Sequence, residues 1–276
     1  MTLADTISAD RPLVLVGAGK MGGALLSGWL DGGLAAGAAR VVDPAPSPEL
    51  AALLANTGAA APSAELPEAT IAGVLVLAVK PQQIGELLPL LGALIDKRSV
   101  TLSIAAGTKL KTLTSGLRSD RVIRAMPNTP AQIGMGVTVA VGAAGVTAAD
   151  RDLATTLLSS VGEVEWIDDE SLMDAVTAVS GSGPAYVFLL AECLADAGVE
   201  AGLDPQFARR LADATVAGAG GLIAASSEPP ATLRQNVTSP GGTTAAALEV
   251  LQSAGGLGPL MKKAVAAAKR RAGELG

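Results

Sequence analysis

No histidine occurs among the 276 residues, and cysteine occurs once, at Cys193. The first absence removes the commonest general acid–base and the commonest metal ligand, so Ser–His and Cys–His hydrolase mechanisms are excluded. The second excludes an intramolecular disulfide and every metal-type cysteine spacing. Basic residues are scarce too: 20 Lys+Arg against 26 Asp+Glu give a net charge of −6. With no basic run and no basic patch interleaved with aromatics, nucleic acid is not an expected partner. An anionic ligand must then be held locally, by backbone N–H groups or a few basic side chains.

Long hydrophobic runs are also missing. Mean hydropathy is +0.44, but a membrane helix needs about 20 consecutive apolar residues. The uncharged stretch from Ala125 to Ala149 is interrupted by Pro127, Asn128, Pro130, Gln132 and several glycines, and runs such as "VLVLAV" are far too short. The opening "MTLADTISAD" has no charged start followed by an apolar core, so no secretory leader is expected. A cytoplasmic protein without a membrane partner is the expectation.

What is present alternates. "LVLV" from Leu13, "ARVVD", "GVLVLAVKP", "SVTLSIAAG" and "RVIRAMP" read as strands, with helical patterns between them. "SPELAALLANTG" carries an N-cap serine at Ser47, Pro48 at the first helical position and Gly58 past the end. Continuous apolar strands alternating with helices predict a parallel sheet covered on both faces. "GVTVAVG" and "VEWI" read as later strands near a sheet edge. After about Asp168 the strand signal fades and helical patterns follow, with Asp204–Pro205 and Pro259 marking helix starts. The expected fold is an α/β N-terminal domain of the Rossmann type over residues 1–167, then an all-α domain over 168–276.

"LVLVGAGKMGGALL" places a Gly-rich turn between a strand and a helix. Gly17 permits the tight turn, Gly19 lets backbone approach a pyrophosphate, and Gly22 allows close helix–strand packing. The helix start then favours an anion through its dipole and free N–H groups. A dinucleotide is the expected ligand. No GK[ST] closes the motif, so a kinase-type phosphate loop is excluded. Asp43 ends the second strand, where an acid takes the ribose hydroxyls of NAD; it is equally a common turn residue before a proline.

The chain has no lysine between Lys111 and Lys262. Interconverting a hydroxyl and a carbonyl in a helical second domain uses such a lysine for the alcohol proton. Reducing an imine needs less, because the protonated imine carbon already accepts hydride. Hydroxyls and backbone amides then suffice, and "NVTSPGGTT" from Asn236 supplies both at the start of a helical pattern. Taken alone, that stretch is equally an ordinary helix cap.

"VGAGKMGGAL", "LAVKPQ", "SIAAG", "RAMPNTPAQIGMG", "SGSGPAYVF" and "VTSPGGTTAAALEVL" together resemble the pyrroline-5-carboxylate reductases, from about Leu13 to the last helix. The resemblance implies a nucleotide domain and a helical dimerisation domain. It implies reduction of Δ1-pyrroline-5-carboxylate to L-proline with NADPH or NADH, in a homodimer or a larger assembly of dimers. It places Ser239, Gly242 and Thr243 on the substrate carboxylate and Thr244 beside the ring nitrogen, as the catalytic hydroxyl. On the cofactor it places Gly17, Gly19, Lys20, Met21 and Gly22, Asp43, the strand end Val79, Lys80 and Pro81, and Asn128 near the nicotinamide. Lys80 is otherwise a surface lysine, and Asn128 the cap of a rigid turn. "SGSGPAY" is expected to bend a helix, since Gly and Pro disfavour its interior. Tyr186, the single tyrosine, is a packed aromatic or a proton donor. Two departures stand out: Asp43 lies where many relatives that use NADPH carry a hydroxyl or an amide, and Pro229 replaces a common histidine.

Overall fold

The computed structural model describes residues 7–66 and 70–275. The leader expectation therefore falls partly on Met1–Thr6, outside the described residues. Strand β1 (Leu13–Val16) leads into helix α1 (Lys20–Asp31), β2 (Ala39–Val42), α2 (Pro48–Thr57), β3 (Val74–Leu77) and α3 (Pro81–Leu91). Then come β4 (Val100–Ser103), α4 (Leu110–Leu117), β5 (Val122–Met126), β6 (Gly136–Gly142), α5 (Ala148–Leu158) and β7 (Gly162–Trp166). The strands form one sheet in the order β2-β1-β3-β4-β5-β6-β7.

β1 to β4 are buried along nearly their whole length, as strands covered on both faces must be. One core, around Trp29, Leu25 and Leu26, lies on one face. The other, around Leu75, Leu77, Ile84 and Leu113, lies on the opposite face. α2 starts and stops as its sequence dictates. Ser47 Oγ accepts the Leu50 N–H at 3.2 Å, Pro48 opens the helix, and Gly58 closes it in the left-handed region at φ 71°.

The expected parallel sheet holds for the first five strands, and the two later strands lie at its far edge as expected, with one reversal. β1 to β5 run parallel, but β6 is antiparallel to β5, and β7 is parallel to β6. Only a short loop with a single 3-10 turn joins β5 to β6. A parallel return needs a crossover of a dozen or more residues, and no helix fills this link. Between β6 and β7, α5 supplies one.

Past Trp166 the described residues form only helices and turns, including α6 (Met173–Val176), α7 (Gly183–Glu200), α8 (Pro205–Ala225), α9 (Pro230–Asn236), α10 (Thr243–Leu251) and α11 (Leu257–Leu275). Asp204 caps α8 by accepting the N–H groups of Gln206 and Phe207. α11 starts at Leu257, and Pro259 lies within its first turn. The chain divides into two compact units, Met1–Gly181 with Lys269–Gly276, and Ser182–Ala268. The division thus falls at Gly181, beyond the 168 expected from composition. Composition marks where strands cease; packing keeps residues 170–181 with the sheet, where Met173 and Ala178 are fully buried.

Two ion pairs brace the amino-terminal edge of the sheet. Arg11 binds Asp96 through both nitrogens, at 2.8 and 3.0 Å, which holds the Asp96 carboxyl well below its ordinary pKa. Burial opposes ionisation of Asp150, yet hydrogen bonds from Arg121 and Thr147 outweigh it and the pKa is again lowered. Carboxylates depressed in the folded state stabilise it above their unfolded pKa, near 4, and that stability is lost as pH falls. The melting temperature is therefore expected to drop as pH falls below about 5 and to go on dropping below about pH 3. Asp96→Asn should melt lower at pH 7 and lose less on acidification, as followed by circular dichroism. An unchanged acid slope in that variant would assign the loss to other carboxylates.

Candidate functional site

Most of the expected cofactor residues lie at the carboxyl ends of β1 and β3, where the strand order turns from β2 through β1 to β3; Asp43 follows β2 and Asn128 follows β5. In open α/β sheets this switch point is where ligands bind. Gly17 has φ 86°, and a Cβ there would lie 2.8 Å from both the Ala78 carbonyl oxygen and Val79 Cγ1. A Cβ on Gly22 would lie 2.4 Å from the Gly17 carbonyl oxygen. The turn and the helix are thus in contact with each other and with the end of β3, which brings Gly17, Gly22 and Val79 together. Gly19 faces open space. It is the N-cap of α1, with no side-chain cap and no acid in the first turn. The first-turn N–H groups of a helix have no intrahelical acceptor, so the exposed mouth at Gly19, Lys20 and Met21 offers donors to an anion.

Asp43 is held against this mouth. Its Oδ2 accepts the Ala18 N–H at 2.8 Å and its Oδ1 the Ala45 N–H at 2.9 Å. It is therefore a turn residue and, in the same conformation, a negative charge beside the Gly-rich loop. Lys80 is exposed and makes no ion pair among the described residues; Pro81 opens α3 just after it.

Asn128 lies at the end of β5, but both ends of its amide are engaged. Nδ2 donates to the Ser180 carbonyl at 3.2 Å, and Oδ1 accepts the Val137 N–H at 2.9 Å. It ties the loop after β5 to the turn before α7. That turn, Thr177–Gly181, is a π-helical turn, so "SGSGPAY" does interrupt helical geometry. No sequence expectation attached to Arg124 or Glu170, which lie nearby. The signal was an arginine inside an otherwise apolar strand; it is 4% exposed.

A groove of 1120 Å³ opens elsewhere on the first unit, lined by residues such as Asp96, Arg118 and Arg121. These precede β4 and β5, at the opposite edge of the sheet from the Gly-rich loop. None of the expected site residues lines it, and it is not the candidate site.

The second unit carries the hydroxyl-rich stretch between α9 and α10. The Gly242 N–H donates to the Ser239 carbonyl at 3.0 Å, and Gly241 has φ 71°. Ser239–Gly242 is therefore a turn with proline second and a left-handed glycine third, the type II pattern. The Gly242 N–H closes this turn, and the residue serves as the N-cap of α10. No side chain caps this helix either. The amides without intrahelical acceptors are those of Thr243, Thr244 and Ala245. The hydroxyls of Ser239, Thr243 and Thr244 have no partner among the described residues. The turn and the bare helix start form an anion cradle without any basic residue. Tyr186 lies half-buried in the first turn of α7.

Residues 170–275 match the family model for pyrroline-5-carboxylate reductase dimerisation. Residues 12–107 match that for NADP oxidoreductase, coenzyme F420-dependent. A pyrroline-5-carboxylate reductase of Pisum sativum is 38% identical over 98% of both chains. That of Pseudomonas aeruginosa is 41% identical over 95% of this chain and 96% of its own. The solved structure of a pyrroline-5-carboxylate reductase from Coxiella burnetii superposes with a TM-score of 0.88 at 32% identity, covering 96% of this chain and 98% of that one. One from Plasmodium falciparum, with NADP bound, gives 0.77 at 27% identity, covering 97% and 99%.

Proposed function

Because this chain belongs to the pyrroline-5-carboxylate reductase family, we propose that the turn Ser239–Gly242 and the open start of α10 hold the substrate carboxylate while Thr244 serves the imine nitrogen. The enzyme is an NAD(P)H-dependent oxidoreductase that reduces the cyclic imine of Δ1-pyrroline-5-carboxylate to L-proline. Its helical region is a dimerisation domain. α7 and α8 expose Phe188, Leu189, Leu222 and Ile223, an apolar surface suited to a subunit contact. Against the expectation that the apolar runs fall far short of a span, the helical stretch Glu170–Glu200 contains a window long and apolar enough to cross a membrane by length and composition alone. We assign its apolar face to dimer formation in the cytoplasm, with no membrane or nucleic-acid partner.

The observation that carries this reading is the bare mouth of α10, with three hydroxyls that have no partner among the described residues. A carboxylate fits there because amide dipoles stabilise it without a titrating cation. The dinucleotide, when bound, supplies hydride at its nicotinamide carbon. Gly17 and Gly22 shape the turn that cradles its pyrophosphate, Gly19 to Gly22 present α1's first-turn amides, and Val79, Lys80 and Pro81 border it at the end of β3. Hydride forms the new C–H bond at the imine carbon, the C=N π pair moves to nitrogen, and nitrogen keeps or acquires one proton. Thr244 orients that nitrogen. Asn128 acts by holding the loop after β5, with its amide engaged by protein.

Mixing the purified protein with pyrroline-5-carboxylate and reduced nicotinamide should consume nicotinamide absorbance and yield proline. Absence of turnover with both NADPH and NADH would end this reading. Asp43 places a carboxylate where a 2′-phosphate would come close, so NADH should be favoured more than in relatives with a neutral residue. Asp43→Asn keeps an acceptor and removes the charge. It should raise the NADPH/NADH ratio of kcat/KM by roughly 10-fold, as expected for one relieved like-charge contact near the surface. A ratio that stays put would mean that Asp43 serves the turn alone.

A further inference from the structure

We infer that Arg124, which is buried, and Glu170, which is partly exposed, form a positioning pair that fixes where the chain leaves the first unit, and that hydride transfer depends on it. This rests on the reductase reading above. Arg124 projects from β5, an otherwise apolar strand, and is 4% exposed. Its Nη1 donates to Glu170 Oε1 at 2.7 Å. The same oxygen accepts the Leu110 N–H at 2.8 Å, so the carboxylate also sits at the start of α4, where a helix dipole favours it. A guanidinium buried in a sheet is costly to desolvate. Apolar packing would stabilise this position more simply, so its retention calls for a specific role.

The neighbours along β5 show that role. In an extended chain, residues two apart share a face. Arg124, Met126 and Asn128 are spaced in this way, and each engages the segment 170–181. Arg124 binds Glu170 at its start. Asn128 donates to the Ser180 carbonyl near its end. A Cβ added at Gly181 would lie 2.8 Å from Met126 Cε, so the glycine lets that side chain close on the π turn. Ser182 then opens the second unit. One face of one strand thus grips the connector at three points, and the pair is its only charged point. Hydride transfer tolerates little misplacement of the reacting atoms, an ångström costing about 100-fold. A loosened exit should therefore lower kcat while leaving dinucleotide affinity intact. Arg124 and Glu170 are positioning residues, acting through the connector.

The test compares Glu170→Gln, Arg124→Lys and the double variant Arg124→Leu/Glu170→Leu with the parent in the full chain. Melting temperature, NADH and NADPH Kd, kcat, and amide exchange across residues 173–181 are measured for each. Leucine at both positions removes the two charges together, so neither is left without its partner, and melting temperature read beside kcat separates folding from positioning. Expected is a modestly lowered melting temperature, since Leu110 N–H loses its acceptor, with kcat lowered roughly 10-fold, unchanged Kd, and faster exchange in the connector. Arg124→Lys, which keeps the charge, should fall between parent and Glu170→Gln in kcat. A double variant with parental kcat would reduce the pair to a structural tie and overturn the proposal, as would a Kd that weakens in step with kcat. If the double variant does not fold, the order of Arg124→Lys and Glu170→Gln in kcat and exchange decides instead. A parent without reductase activity would overturn the reductase reading, and the exchange arm would still show whether the pair holds the connector.

Discussion

Thr244→Ala is expected to lower kcat on the order of 10–100-fold, the effect of one transition-state hydrogen bond. Thr244 is half-buried in the first turn of α10 and its hydroxyl has no partner among the described residues, so its loss leaves none of their groups unsatisfied. Stability should barely change. Thr244→Ser should keep much of the activity, because the oxygen remains on the same Cβ. NADH and NADPH should bind both variants as they bind the parent, since the proposed dinucleotide site is the Gly-rich loop. The decisive pairing is a steady-state kcat alongside a cofactor titration. Full activity in the alanine variant would leave "SPGGTT" as a helix-starting turn and return the proton to Tyr186 or water.

The second large effect is expected at Gly22. A methyl there would sit 2.4 Å from the Gly17 carbonyl oxygen and 3.1 Å from Ala78 Cβ. The first obstacle is backbone, so no rotamer change can relieve it. α1 and the turn after β1 must separate, and overpacking of this kind costs about 1–3 kcal/mol. The same displacement moves the N–H groups that meet the pyrophosphate. Gly22→Ala should therefore melt lower and bind dinucleotide about 10–100-fold more weakly. Gly19→Ala is the control: its added Cβ meets nothing, so stability should hold and only close ligand approach should suffer. Parental Kd in Gly22→Ala would show that the helix start is not the phosphate site.

What the sequence by itself determined is what local chemistry determines. Apolar strands between helical patterns specified the layered α/β unit. Ser47, Pro48, Gly58 and Asp204 marked helix ends, because caps and left-handed turns act within a few residues. The Gly-x-Gly-x-x-Gly turn and the hydroxyl-rich mouth of α10 were legible for the same reason. So was the absence of histidine, which narrowed the chemistry before any coordinate was known. Only the tertiary structure decided the rest. The reversal of β6 depends on the space available to a short link, which periodicity does not encode. That the Gly242 N–H closes a turn on the Ser239 carbonyl is a matter of backbone geometry. Asp43 hooks Ala18 across 25 residues, and Arg124 meets Glu170 across 46. An isolated arginine in an apolar strand announces that it needs a partner, but which carboxylate answers is set by how the sheet brings distant segments together.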